Sequence, residues 1–215
     1  GLVNNDYSLL DVSDLVFIDA PGAGFSTFAD KEKGPKEYFG VDQDAEAFAQ
    51  FIGKFMSKYG RWNSPKYLFG ESYGTTRSAV LANLLQSEKS IDLNGVILLS
   101  QVLNMAMLID FPEINPGVDL SYQLVLPTYA ATAWYHKKLP RDLQSKSAEQ
   151  VAKEAEQWAA NEYSLALAKG DRLAGAERQE AITKLSRYTG LDKTFIDNAN
   201  LRVSLNFFRK ELLRD

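Results

Sequence analysis

Lys66-Tyr67-Leu68-Phe69-Gly70-Glu71-Ser72-Tyr73-Gly74 is the stretch on which the reading of this chain turns. Lys66 to Phe69 reads as a short strand introduced by the turn residues Asn63-Ser64-Pro65. A helix is expected from Tyr73 to about Ser87, so Gly70-Glu71-Ser72-Tyr73-Gly74 fills the joint as G-x-S-x-G. In a strand–turn–helix setting that pattern predicts a strained turn that lifts the serine hydroxyl above the sheet edge, at a helix N-terminus. The flanking glycines are expected because the turn brings neighbouring segments too close for a Cβ. The Tyr73 backbone N–H would then face the carbonyl oxygen under attack, as half of an oxyanion hole. A bare G-x-S-x-G also arises by chance. The strand before it and the helix after it give this one its meaning.

Neighbouring stretches extend the same architecture. Asp14-Leu15-Val16-Phe17-Ile18-Asp19 is a continuous apolar run, the mark of a strand covered on both faces. Asp42 to Tyr59 carries Ala45, Phe48, Ile52, Phe55 and Tyr59 at spacings of three and four, an amphipathic helix ended by Gly60. Gly95 to Ser100 reads as another strand. Three parallel strands are therefore expected, near Leu15–Asp19, Lys66–Phe69 and Val96–Ser100, with helices between them.

The chain then changes character. All seven prolines lie at or before Pro140, and eleven of the fourteen glycines at or before Gly117. Beyond Pro140 the sequence turns to Ala, Glu, Lys, Gln and Leu, which favour helices. Ser147-Ala148-Glu149-Gln150 has the form of a capping box. It opens a helix carrying Val151, Ala155, Trp158, Ala159 and Tyr163 on one side, with Gly170 as its stop. Further helices are expected near Ala176–Tyr188, Asp192–Ala199 and Ser204–Leu213. Residues 1–103 are accordingly read as alternating strand and helix, and 104–215 as helical.

Composition narrows the chemistry. The 215 residues are ample for a sizeable core. A net charge of −4 offers no electrostatic footprint for nucleic acid or an anionic membrane. No apolar run approaches the roughly 18 residues that a transmembrane helix needs, and Gly1 to Asn5 shows no signal-peptide pattern. The absence of cysteine excludes disulfides, thiolate metal sites and cysteine nucleophiles without fixing the compartment. One histidine, His136, leaves little for a metal site, and no metal or cofactor is expected.

Two tempting features read better another way. Asp19-Ala20-Pro21-Gly22-Ala23-Gly24-Phe25-Ser26 has Thr27 where the third glycine of G-x-G-x-x-G belongs, and no helix starts promptly after it. It reads as a glycine-rich cleft wall, not a phosphate loop. Ser72, Asp110 and His136 fall in the chain order of a hydrolase triad. Yet Trp134-Tyr135-His136-Lys137-Lys138 lies at the edge of the helical part, where a surface or helix-terminal histidine is the simpler reading.

These residues point to a family. Gly70-Glu71-Ser72-Tyr73-Gly74 resembles the G-E-S-Y-A/G-G signature of serine carboxypeptidases, which have the α/β-hydrolase fold. Asp19 to Ser26 resembles the D-x-x-G-T-G-F/Y-S segment that the family carries upstream, and Asn5-Asp6-Tyr7-Ser8 its N-P-Y-S. Departures are Asp6 for Pro, Ala23 for Thr, and Thr75 where Gly commonly closes the turn. The helical second half resembles the cap insertion of bacterial members. The fold class this implies is α/β: a partial α/β-hydrolase core over 1–103, parallel strands with flanking helices, and a helical cap over 104–215.

The resemblance implies hydrolysis of the last peptide bond of a peptide with a free C-terminus, often best in acid. Ser72 would be the acylated nucleophile and Tyr73 an oxyanion donor. Glu71 would belong to the network that recognises the substrate carboxylate. A carboxyl group meets a carboxylate favourably only where they share a proton, which acid supplies. The alternative for Glu71 is a buried structural carboxylate satisfied by backbone donors. In the family the second oxyanion donor lies upstream of N-P-Y-S, and the triad Asp and His lie beyond the cap. The chain is therefore expected to be an internal piece of a longer enzyme, inactive alone, pairing with the missing segments or with another copy of itself. The resemblance favours a periplasmic or secreted protein. An acyltransferase or esterase on the same scaffold, or a catalytically inert interaction domain, would share these features.

Overall fold

The structure, a computed structural model, describes residues 1–110 and 112–214. It divides into two compact units, Gly1–Leu103 and Asn104–Asp215.

In the first unit the described elements run α1 (Gly34–Tyr38), α2 (Val41–Tyr59), β1 (Tyr67–Glu71), α3 (Tyr73–Glu88) and β2 (Gly95–Leu99). β1 and β2 pair in parallel, Tyr67 opposite Gly95 and Glu71 opposite Leu99, with α3 as the crossover between them. At the start of the ladder Asn94 seals the sheet: its N–H donates to Lys66 O (2.7 Å) and its Oδ1 accepts from Lys66 N (2.9 Å). α2 ends on Gly60 in the left-handed region (φ 65°), a conformation that costs glycine nothing. The core between α2 and α3 holds Ala45, Phe48, Ala49, Met56, Leu81, Leu85 and Ile91.

Two elements differ from the sequence expectation, the first wholly and the second in part. Leu15–Asp19 is not a strand but irregular backbone, with Phe17 90% exposed. An apolar run becomes a strand only where a ladder partner takes its N–H and C=O groups, and the described sheet holds only β1 and β2. Ile18 alone of that run packs on the core. On α2 the expected face holds in part: Ala45, Phe48 and Ile52 pack on the core, and Phe55 and Tyr59 do not. Ala45, Phe48, Ala49 and Met56 point inward, whereas Phe51, Phe55 and Tyr59 form a separate aromatic row, with ring centroids 6.0 and 4.7 Å apart.

The second unit is helical: α4 (Leu120–Tyr135), α5 (Arg141–Gln144), α6 (Ala148–Trp158), α7 (Ser164–Lys169), α8 (Gly175–Thr189), α9 (Lys193–Asn198) and α10 (Leu205–Glu211). The capping box at Ser147 forms in full, Gln150 N donating to Ser147 Oγ (3.2 Å) and Ser147 N to Gln150 Oε1 (3.0 Å). One π-helical turn, Ala159–Tyr163, joins α6 to α7, so Val151, Ala155, Trp158, Ala159 and Tyr163 all reach the core. Two buried phenols pin the segment after α9: Tyr163 donates to Leu201 O (2.6 Å) and Tyr129 to Val203 O (3.3 Å). Desolvation raises both phenols well above the ordinary tyrosine range. Among the described residues no helix is long and apolar enough to cross a membrane.

Candidate active site

Ser72 occupies the one-residue joint between β1 and α3, with φ 54° and ψ −121°. An L-residue reaches that region only against steric cost, of the order of 1–3 kcal/mol. The surrounding backbone over-determines it. Ser72 N–H donates to Leu99 O at the end of β2 (3.1 Å), and Ser72 O accepts from Thr75 N (2.9 Å). Close approach explains one glycine directly: a Cβ on the buried Gly70 would lie 2.1 Å from Gly74 O and 2.6 Å from Ser78 Oγ. Gly74 differs from expectation, since a Cβ there meets nothing within 4 Å.

The three residues singled out from sequence are consecutive at this turn, and all are exposed. Among the described residues neither Ser72 Oγ nor the Glu71 carboxylate has a hydrogen-bond or ionic partner. The Tyr73 ring lies 5.4 Å from the Arg77 guanidinium. Burial chiefly, with Asp44 adding, raises its phenol above the usual range, and Arg77 opposes this.

Two features escaped the sequence reading. Asp44, on the buried side of α2, takes Arg77 of α3 in a two-point ion pair, and the guanidinium lies over the Phe48 ring at 4.3 Å. An acid flanked by the apolar Ala45 and Phe48 stripe was the available signal, because a charge on such a face needs a partner. The other is what Thr75 does, a residue marked in the sequence only as a departure from the signature: it is fully buried and hydrogen-bonded at both ends.

The glycine-rich loop has a plain structural reading. Asp19 folds into it, its Oδ2 accepting from Phe25 N at 2.8 Å, and a Cβ on Gly24 would lie 2.4 Å from that carboxylate. A carboxylate seated there already takes a loop N–H and would repel a phosphate. His136 belongs to the other unit, at the C-terminus of α4. Its N–H donates to Thr132 O (3.1 Å) and its exposed ring meets Tyr135 edge-on at 5.0 Å. No group of three His, Asp or Glu side chains suited to share a metal ion occurs among the described residues.

A serine held in strain between a parallel strand and a helix is the local arrangement that the G-x-S-x-G pattern requires. The chain belongs to the serine carboxypeptidase family, whose model matches residues 1–199. Neither curated proteins nor solved structures gave a match.

Proposed function

We propose that this chain carries the nucleophile of a serine-type carboxypeptidase, within a partial α/β-hydrolase core followed by a helical cap. What carries the reading is Ser72: strained, exposed, and placed at the end of a parallel strand inside a family of peptidases. Its Oγ attacks the carbonyl carbon of the last peptide bond. The Oγ–C bond forms, the C–N bond breaks, and the hydroxyl proton passes through a base to the departing amino acid. Water then hydrolyses the acyl-enzyme. Tyr73 N–H, in the first turn of α3 where helix donors lack intrahelical acceptors, binds the oxyanion. Glu71, exposed beside Ser72, belongs to the hydrogen-bond network that receives the substrate's terminal carboxylate.

The base is proposed to come from outside this chain. Residues 1–103, which carry Ser72, contain no histidine, and the family resemblance places the triad Asp and His beyond the cap. The exposed apolar side chains of β2, Val96 to Leu99, support pairing of this sheet with missing segments of the enzyme or with a second copy. Family membership favours an exported enzyme, periplasmic or secreted.

The test uses the natural reading frame that contains residues 1–215, assayed on an N-blocked dipeptide in acid. Release of the free C-terminal amino acid, lost in Ser72→Ala, is the expected result. Undiminished release by Ser72→Ala overturns the assignment, and transfer of the acyl group to an added alcohol in preference to water would favour the transferase reading.

A further inference from the structure

The residue two positions past Tyr73 is where this chain departs from the family signature: Thr75 stands in place of the glycine. The departure fills a built position. Thr75 is 0% exposed, and its hydroxyl works in both directions. As donor, Thr75 Oγ1 gives its proton to Ser72 O at 2.7 Å. As acceptor, the same oxygen takes Val102 N–H at 2.7 Å. Thr76 completes the connection, its hydroxyl donating to Val102 O. Both backbone polar groups of Val102, three residues past the end of β2, are thus bound by adjacent threonines of α3.

We infer that Thr75 is a positioning residue for Ser72: its hydroxyl ties the strained serine peptide to the segment after β2 and holds Oγ where it can attack. This rests on the reading of Ser72 as the nucleophile. Ser72 is fixed at its N–H by Leu99 O and at its carbonyl by the N–H and hydroxyl of Thr75. Its positive φ persists only while those anchors outweigh the relaxation of the turn. A buried hydroxyl satisfied at both ends gives up both bonds when replaced by an isosteric methyl, and leaves Val102 N–H without its partner. The turn then relaxes, and the serine oxygen moves off the line of attack. Misplacement of a reacting atom by about 1 Å can cost on the order of 10²-fold in rate. Thr75 touches no reacting atom and acts only through the Ser72 backbone.

The experiment uses the full reading frame and an organophosphonate that phosphonylates the serine nucleophile, with labelling rate and unfolding midpoint measured for each variant. Ser72→Ala comes first. If it still labels at the same rate, the nucleophile reading fails and this inference fails with it. With labelling lost in Ser72→Ala, Thr75→Val is expected to label at least tenfold more slowly while substrate KM changes little. Thr75→Ser, which keeps the hydroxyl, is expected to stay within about threefold of the parent. Leu85→Ala, a core truncation away from the turn, supplies the control for lost stability: it lowers the unfolding midpoint and leaves the labelling rate of the folded protein unchanged. If Thr75→Val does not fold, Thr75→Ser against Thr75→Ala makes the same comparison, with only the serine variant retaining the rate. A Thr75→Val protein that loses stability yet labels at the parent rate would overturn the inference and reduce Thr75 to a packing residue. Equal rates for Thr75→Ser and Thr75→Ala would do the same.

Discussion

The Arg77 guanidinium grips the Asp44 carboxylate at two points, Nε to Oδ2 at 2.6 Å and Nη2 to Oδ1 at 3.2 Å, with both side chains largely buried. The pair joins α2 to α3, the helix that starts at Tyr73 directly after the Ser72 turn. Removing one partner leaves the other charge buried and uncompensated, a loss of about 3 kcal/mol or more. Asp44→Ala and Arg77→Met should each lower the denaturant midpoint strongly. The double variant should lose clearly less than the two combined. Additive losses in that cycle would mean that the pair contributes nothing as a pair.

Gly70→Ala tests the close approach beneath the turn. The added methyl has no way past Gly74 O, so the strand end or the first turn of α3 must shift. Loss of both stability and phosphonate labelling is expected. Gly74→Ala, which meets open space, should fold as well as the parent, with ordinary stability by denaturation.

Much of this arrangement was legible beforehand, for identifiable reasons. The turn at Ser72 was readable because strand propensity, two glycines and a helix start coincide within nine residues. The capping box at Ser147 was readable because it is a local device whose partners lie three residues apart. What failed was non-local. Leu15–Asp19 has the composition of a strand, but pairing depends on neighbours that composition does not reveal. On α2 both the apolar stripe and the Phe51, Phe55, Tyr59 row satisfy helical spacing, and only packing against α3 selects the first. Asp44–Arg77 spans 33 positions and Thr75–Val102 spans 27, separations that a motif search does not connect.

Ser147→Ala should destabilise the helical unit by about 1 kcal/mol, since it removes one of the two bonds of the capping box. Thermal unfolding of the chain followed by far-ultraviolet circular dichroism checks it, and an unchanged midpoint would show that the cap contributes nothing.

The helical unit should also lose stability in alkali, and the sign follows from its phenols. Burial raises Tyr129 and Tyr163 in the folded chain, so their protonated forms are the ones the fold favours. Their contribution is complete below the free tyrosine value of about 10. Above it the unfolded chain releases protons that the folded chain retains, and stability falls as pH rises towards the folded values. Tyr163→Phe should flatten that decline, at a neutral-pH cost of about 1 kcal/mol for the lost bond to Leu201 O. A decline of equal slope in Tyr163→Phe would assign the alkaline sensitivity elsewhere.

Residues 1–215 expressed alone should turn over a blocked dipeptide far more slowly than the full reading frame. A serine without its base typically loses on the order of 10⁶ in rate. Turnover within about tenfold of the full-length protein, abolished by Ser72→Ala, would show that the chain supplies its own base.

The central claim is that Ser72 is the nucleophile, and mapping the phosphonate adduct tests it most directly. The full-length protein is labelled in acid, digested, and the modified peptide sequenced by mass spectrometry. The expected result is a single adduct on Ser72, within the peptide carrying Gly70-Glu71-Ser72-Tyr73-Gly74, and none in Ser72→Ala. An adduct on any other residue, accompanied by full peptidase activity in Ser72→Ala, would contradict the account.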